Sequence, residues 1–163
     1  ASCLVGSEMC IRDSRWEWGT KVWPTPILRP YPGKPIGEIN AQYLGGKVRL
    51  TYCDGPLGAV CRTADAPDAP WSLPRIITNT VRAPYAPSLH PWNTNMEHAA
   101  FTISSWDKVN GKNITYGCYT YRANIEPPAL SPTAEKMVNE VYNMTPEAAN
   151  NELVKRGVIE ALS

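Results

Sequence analysis

The sequence predicts an all-β body followed by a short α-helical tail. Sixteen prolines and eleven glycines punctuate short stretches rich in Trp, Tyr, Val, Ile and Thr. That is the pattern of strands separated by turns. One arrangement also occurs twice, a strand, a hairpin turn and a second strand. Its polar markers recur after 52 residues (Glu38 to His90) and 53 residues (Asp54 to Asp107). A period near 50 with about four strands marks a β-propeller blade, because one such sheet cannot hide both faces and must stack on a neighbour. The expectation is a partial β-propeller of two to three four-stranded blades over residues 15–127, with a helical tail over residues 128–163.

Residues 1–14 are set aside first. The stretch "LVGSEMCIRDS", residues 4–14, resembles the translation of a sequencing adapter, whose transposon end encodes Glu-Met-Cys-Ile-Arg-Asp. It is read as non-native, with the authentic N-terminal part expected to lie outside this sequence.

"RWEWGTKVW", residues 15–23, alternates aromatic and polar side chains as a half-buried strand does. "PTPILRPYPGKP", residues 24–35, is a rigid extended connection. The first unit opens with a strand over residues 37–43. Gly45 and Gly46 then supply the positive φ angles of a tight hairpin. "KVRLTYC", residues 47–53, places Val48, Leu50 and Tyr52 on one face. "DGPLG" turns the chain into a third strand, "AVCRTADA". Residues 75–78 give a proline-flanked fourth, suited to an edge.

In the second unit "YAPSLHP", residues 85–91, is the first strand and "WNTNME" a turn. "HAAFTISSW" is the second strand, "DKVNGKN" an Asn-Gly turn and "ITYGCYTYRANI" the third. The period then becomes helical. Ser131 and Pro132 start a helix with Met137, Val138, Val141 and Tyr142 on one face. Thr145 caps a second, with Pro146 in its first turn and Leu153, Val154, Ile159 and Leu162 following; Gly157 breaks it. This tail either packs on the body, links onward or forms a partner-binding module.

Charge narrows the partners. The chain carries +1, and without residues 1–14 it holds 15 basic and 13 acidic residues. That balance leaves no electrostatic footprint for nucleic acid or an anionic membrane. No apolar run approaches the roughly 20 residues that span a bilayer. Three cysteines remain, Cys53, Cys61 and Cys118. There is no CxxC, and neither His90 nor His98 stands at a zinc-finger spacing, so no cofactor or metal is expected. Cys53 and Cys61 either pair across a loop or stay as small buried thiols.

Five stretches then carry a resemblance. "RWEWG", "IGEINAQYLGGKVRLTYCD", "VCRTADAPDAPWSLPRIIT", "YAPSLHPWNT" and "FTISSWDKVNGKNITYGCYTY" follow one another over residues 15–125. In that order they resemble the C-terminal half of an actinobacterial and phage family long known as a domain of unknown function. The resemblance implies a fold like the five-bladed propeller of arabinanases. It implies an activity like that of the family's characterised relatives, endo-D-arabinanases acting on mycobacterial-type cell-wall arabinan. The family's catalytic aspartates come from early blades, so most catalytic residues would precede this sequence. The implied partner is cell-wall polysaccharide, arabinan or arabinogalactan. The implied location is extracellular, secreted or on a phage virion or lysin. A non-catalytic carbohydrate-binding module of a phage tail or lysin is the alternative, and a structural virion protein a third.

Polar residues on the inner strands of a propeller face its axis, and Glu38 and His90 are placed equivalently on two blades by the repeat. Glycoside hydrolysis needs one carboxylic acid to protonate the leaving oxygen and a second carboxylate as base or nucleophile. Glu38 is the candidate catalytic acid; otherwise it binds sugar hydroxyls or caps a loop. His90, Trp92, Trp106 and Asp54 are the candidate substrate-binding residues. The imidazole can bind a sugar hydroxyl or a metal on the propeller axis, or stay bonded to backbone. The two indoles can lie against sugar C–H groups or fill core. Asp54, like Asp107, can instead end a hairpin. Asp65 and Asp68 shape a turn, and the sequons at Asn113 and Asn143 carry no weight.

Overall fold

The computed structural model describes residues 27–78, 83–110 and 112–156, without the side chains of residues 107–109, 113 and 114. The adapter-like stretch, the strand expected over residues 15–23 and the break at Gly157 lie outside the described residues.

Two antiparallel sheets form the body. The first, sheet A, has the order β1 (Asn40–Leu44), β2 (Lys47–Cys53), β3 (Ala59–Ala64), β4 (Arg75–Thr78). The second, sheet B, has the order β5 (Pro84–Leu89), β6 (Ala99–Val109), β7 (Lys112–Ala123). Two helices follow, α1 (Pro132–Tyr142) and α2 (Pro146–Lys155). The four strands expected of the first unit are present and adjacent in sequence order. The second unit has the three strands read in the sequence, and among the described residues no fourth strand pairs with them.

Local chemistry explains the turns. Gly45 and Gly46 stand at φ 58° and 75°, so β1 and β2 close through a two-residue hairpin. The Asn-Gly turn of the second unit is tighter than the sequence implied. Only residues 110 and 111 separate β6 from β7, with Asn110 at φ 50°. The cross-strand pairs Val109 with Lys112 and Lys108 with Asn113 therefore extend the ladder into residues read as loop. Ser131 and Thr145 cap the helices, each accepting a hydrogen bond from the backbone N–H three residues on, with proline in the first turn.

Sheet A is covered on both faces. On one, Leu50, Tyr52 and Val60 share a cluster with Leu28 and Tyr31 and with Val141, Ala149 and Leu153 of the helices. The helical tail is thus packed on the body, the first of the three alternatives. On the other face, Leu44, Ala59, Cys61 and Ile77 meet Leu89, Phe101 and Ile103 of sheet B. Alternation along β2 sends Leu50 and Tyr52 to the helices and Arg49, Thr51 and Cys53 to sheet B.

The sequence pattern assigned only Val48, Leu50 and Tyr52 to a shared face; the structure buries Arg49 and Thr51 on the opposite face and half-buries Cys53 there. Each has a backbone partner in or beside sheet B. Thr51 Oγ1 donates to Pro87 O at 2.6 Å and the Cys53 thiol donates to Pro84 O at 3.3 Å. Arg49 donates to Ile125 O at 2.8 Å and to Glu126 Oε1 at 3.0 Å. In return Asn40 Oδ1 accepts from Leu89 N at 3.0 Å. Side chains of sheet A thus occupy backbone groups of β5, which among the described residues has a ladder partner in β6 alone. An edge met in this way does not template association with another chain.

Cys53, Cys61 and Cys118 are free thiols. Cys53 lies opposite Ala59, and Cys61 opposite Thr51, so the β2–β3 register does not bring the two sulfurs face to face.

Candidate functional site

The outward face of sheet B carries an aromatic group. Trp106 on β6 is paired with Tyr116 on β7, and their rings lie 4.9 Å apart at a tilt of 53°. Tyr85 is paired with Ser104, two residues back along β6 on the same face, which places it diagonal to Trp106. All three rings remain over 40% exposed, at 41%, 47% and 44% for Trp106, Tyr116 and Tyr85. The buried face of β6 is formed instead by Ala99, Phe101 and Ile103.

A bulge sets the direction of Tyr85. Between Tyr85 and Ser88 the β5–β6 register slips, and Ala86 takes φ 47°. The extra residue restores Ser88 to the outward face and leaves Pro87 buried against sheet A. Tyr85 then donates a hydrogen bond to Glu38 Oε1, across the seam between the two sheets. That bond is the main cause of a Tyr85 phenol raised above its ordinary value. The phenol accordingly remains a donor and fixes one oxygen of Glu38, while the carboxylate as a whole stays exposed. Cys53 sits nearby, its thiol pushed up to about 11 by burial first and by Glu38 second. It remains protonated and is no nucleophile at neutral pH.

A second aromatic station lies at the end of β5. His90 Nε2 is 2.7 Å from Thr102 Oγ1, and the imidazole lies against the Trp92 ring at 4.6 Å. Trp92 is 70% exposed. Asn93 fixes this turn: its amide donates to His90 O and Ala100 O and accepts from Ala100 N, at 2.7–2.9 Å. Thr102 and Trp106 share the outward face of β6, four residues apart, so the stations are separated by about 13 Å of strand.

The repeat placed Glu38 and His90 equivalently, and here the structure differs. Glu38 precedes β1 by two residues, whereas His90 follows the last residue of β5. Equal spacing in sequence did not give equal position, because the two units begin their first strands at different offsets. The two residues do approach one another through their neighbours, since Asn40 holds Leu89. Their side chains turn to separate partners, Tyr85 and Thr102.

Asp54 is elsewhere. It is 1% exposed and accepts from Tyr31 N at 2.6 Å and Tyr142 Oη at 2.7 Å. Burial raises its carboxyl above the ordinary value, against the lowering effect of those hydrogen bonds. Both oxygens are committed within the protein, so Asp54 joins the segment before β1 to α1 and is not offered to a ligand. A polar residue at a hairpin end and a buried carboxylate look alike in sequence; only the packing of the helices separates them. Conversely, Tyr85 and Tyr116 were read merely as strand residues. Their signal was available as the outward positions of alternating strands flanking Trp106.

Among the described residues no three His, Cys, Asp or Glu side chains converge to hold a metal ion. No helix among them is long and apolar enough to cross a membrane.

A family description, Domain of unknown function (DUF4185), matches residues 7–122, most of the chain. The chain belongs to the DUF4185 family. No curated protein matches it. The DUF4185 match spans both sheets and contains Glu38, Tyr85, His90, Trp92, Trp106 and Tyr116. It ends one residue short of the end of β7 and excludes both helices. It begins at residue 7, inside the adapter-like stretch.

Proposed function

We propose that this DUF4185 chain is the sugar-facing part of a carbohydrate-active β-propeller, a glycoside hydrolase of endo-D-arabinanase type acting on cell-wall arabinan outside the cell. The observation that supports it is the exposed group of Tyr85, Trp106 and Tyr116 with the Glu38 carboxylate bonded into it. Aromatic faces suit the C–H faces of a sugar ring, and a few placed polar groups fix its hydroxyls. Glu38 has one oxygen held by Tyr85 and the other open to a glycosidic oxygen or hydroxyl. His90 and Trp92 form the second contact, about 13 Å away along β6.

A binding role without catalysis is the second reading. Of the carboxylates whose side chains are described, Glu38 alone is bonded into the aromatic group. Hydrolysis by paired carboxylates needs another, which would come from outside the described residues.

Incubation with arabinogalactan separates the outcomes. Release of reducing ends, abolished in Glu38→Gln with affinity retained, fits the hydrolase with Glu38 as acid. Retention on an arabinan affinity gel without release fits the binding module. Neither retention nor release overturns both readings.

A further inference from the structure

A separate pocket of about 300 Å³ opens on the other face of sheet A, where α1 and residues 27–29 cross it. Its polar lining comes from Arg29, Arg62, Asn139 and Asn143. Leu28, Leu73 and the Trp71 ring supply apolar wall. Among the described residues no carboxylate lines it.

Arg62 is only 8% exposed. Its hydrogen bonds go to neutral acceptors: Tyr52 Oη at 2.8 Å, Ser72 O at 3.3 Å and Arg29 O at 3.4 Å. Its cation also lies 5.2 Å from the centre of the Tyr142 ring. Arg29 donates to the Asn143 amide oxygen. Neither guanidinium has an ion pair among the described residues. The carboxylate in the same network, Asp54, bonds Tyr142 Oη and does not line the pocket. A buried guanidinium is ordinarily matched by a negative partner, and its planar fork suits a carboxylate.

We infer that this pocket binds a small organic anion, a carboxylate on a ring-sized body. The carboxylate meets Arg62 and Arg29, and the body rests on Trp71 and Leu73. Asp54 attracts Arg62 only at longer range, and neither guanidinium touches a carboxylate among the described residues, so the direct contact is left for the anion. The apolar wall and the volume, enough for a small ring, select an organic acid over a bare inorganic ion. Such a carboxylate can belong to a free organic acid or to an acidic sugar. This site lies across sheet A from Glu38 and stands or falls independently of the arabinan reading.

Calorimetric titration of the full chain tests it with two acids, benzoate and glucuronate, and their uncharged counterparts, benzamide and glucose. Inorganic phosphate serves as the charge-only control. At least one acid is expected to bind, and at least tenfold tighter than its uncharged counterpart and than phosphate. Benzoate alone identifies a free organic acid as the source; glucuronate identifies an acidic sugar. In Arg29→Gln, at an exposed position, affinity should fall about tenfold, the loss of one charge-assisted hydrogen bond. In Arg62→Lys the charge stays but the fork is lost, so affinity should fall further; thermal melting without ligand reports whether that variant folds. Equal binding of acid and uncharged counterpart, binding of phosphate alone, no binding by any probe, or unchanged affinity in Arg29→Gln overturns the proposal.

Discussion

Sheet A and sheet B are built from the same kind of hairpin and meet opposite environments. In sheet A, β2 and β3 are buried on both faces, one under the helices and the other against sheet B. In sheet B, one face enters the shared core while the other presents Tyr85, Trp106 and Tyr116 to solvent. The difference separates stability from recognition. Side chains on sheet A are held by many partners, so their loss should unfold the protein. Those on the outward face of sheet B touch one another and little else, so their loss should change what the protein binds.

The largest expected effect is on the helix side of sheet A. Tyr52 is fully buried, and its hydroxyl accepts from Arg62 Nε. Tyr52→Ala should cost about 4 kcal/mol in denaturant unfolding, through a cavity and an unpartnered guanidinium donor. A loss below about 1 kcal/mol would mean that this face is far looser than its burial implies.

Asp54→Ala comes next, at about 3 kcal/mol, because Tyr31 N–H and Tyr142 O–H both lose a buried acceptor. The same residue gives a pH signature. Its folded-state carboxyl is raised, chiefly by burial, so between the unfolded value of about 4 and the raised value the folded chain binds more protons than the unfolded one. Its contribution is therefore most favourable below that window and declines as pH rises through it. Asp54→Asn should flatten stability against pH from about 4 upward. A slope identical to that of the parent would remove Asp54 from the account.

The seam between the sheets should give an intermediate value. Thr51→Val keeps the shape but strands Pro87 O, which now accepts from the Thr51 hydroxyl. A loss of about 1.5 kcal/mol is expected in thermal or denaturant unfolding. Trp106→Ala marks the other end, with a loss below about 1 kcal/mol. Retention on arabinan should nonetheless fall sharply. A large stability loss there with unchanged retention would erase the contrast between the two sheets.

Thiol reactivity gives the smallest effect. Burial pushes the Cys61 thiol up to about 12 and, with Glu38 adding to it, the Cys53 thiol up to about 11. Cys118 is exposed. Peptide mapping after brief alkylation at pH 8 should find Cys118 modified first of these three.

Much of this arrangement was written locally. The alternation of "KVRLTYC", the two glycines of the first hairpin, the Ser131 and Thr145 caps and the prolines beside them act within a few residues, and β2, its turn and both helices follow from them. Such choices depend on φ preferences and nearest-neighbour hydrogen bonds, which a short window of sequence contains. Which face of each strand is covered was decided by tertiary structure. Alternation sets Arg49 and Thr51 opposite the apolar face of β2 but says nothing of what covers them; sheet B lies over them, with β5 bonding Thr51 and the segment after β7 bonding Arg49. Asp54 became a buried tie because α1, whose Tyr142 lies 88 residues away, settles on the same face. The bulge at Ala86 turned Tyr85 toward Glu38, a pairing that the 52-residue repeat did not contain. Burial and cross-sheet hydrogen bonding are properties of pairs of distant segments, and no local window of the chain holds both members of a pair.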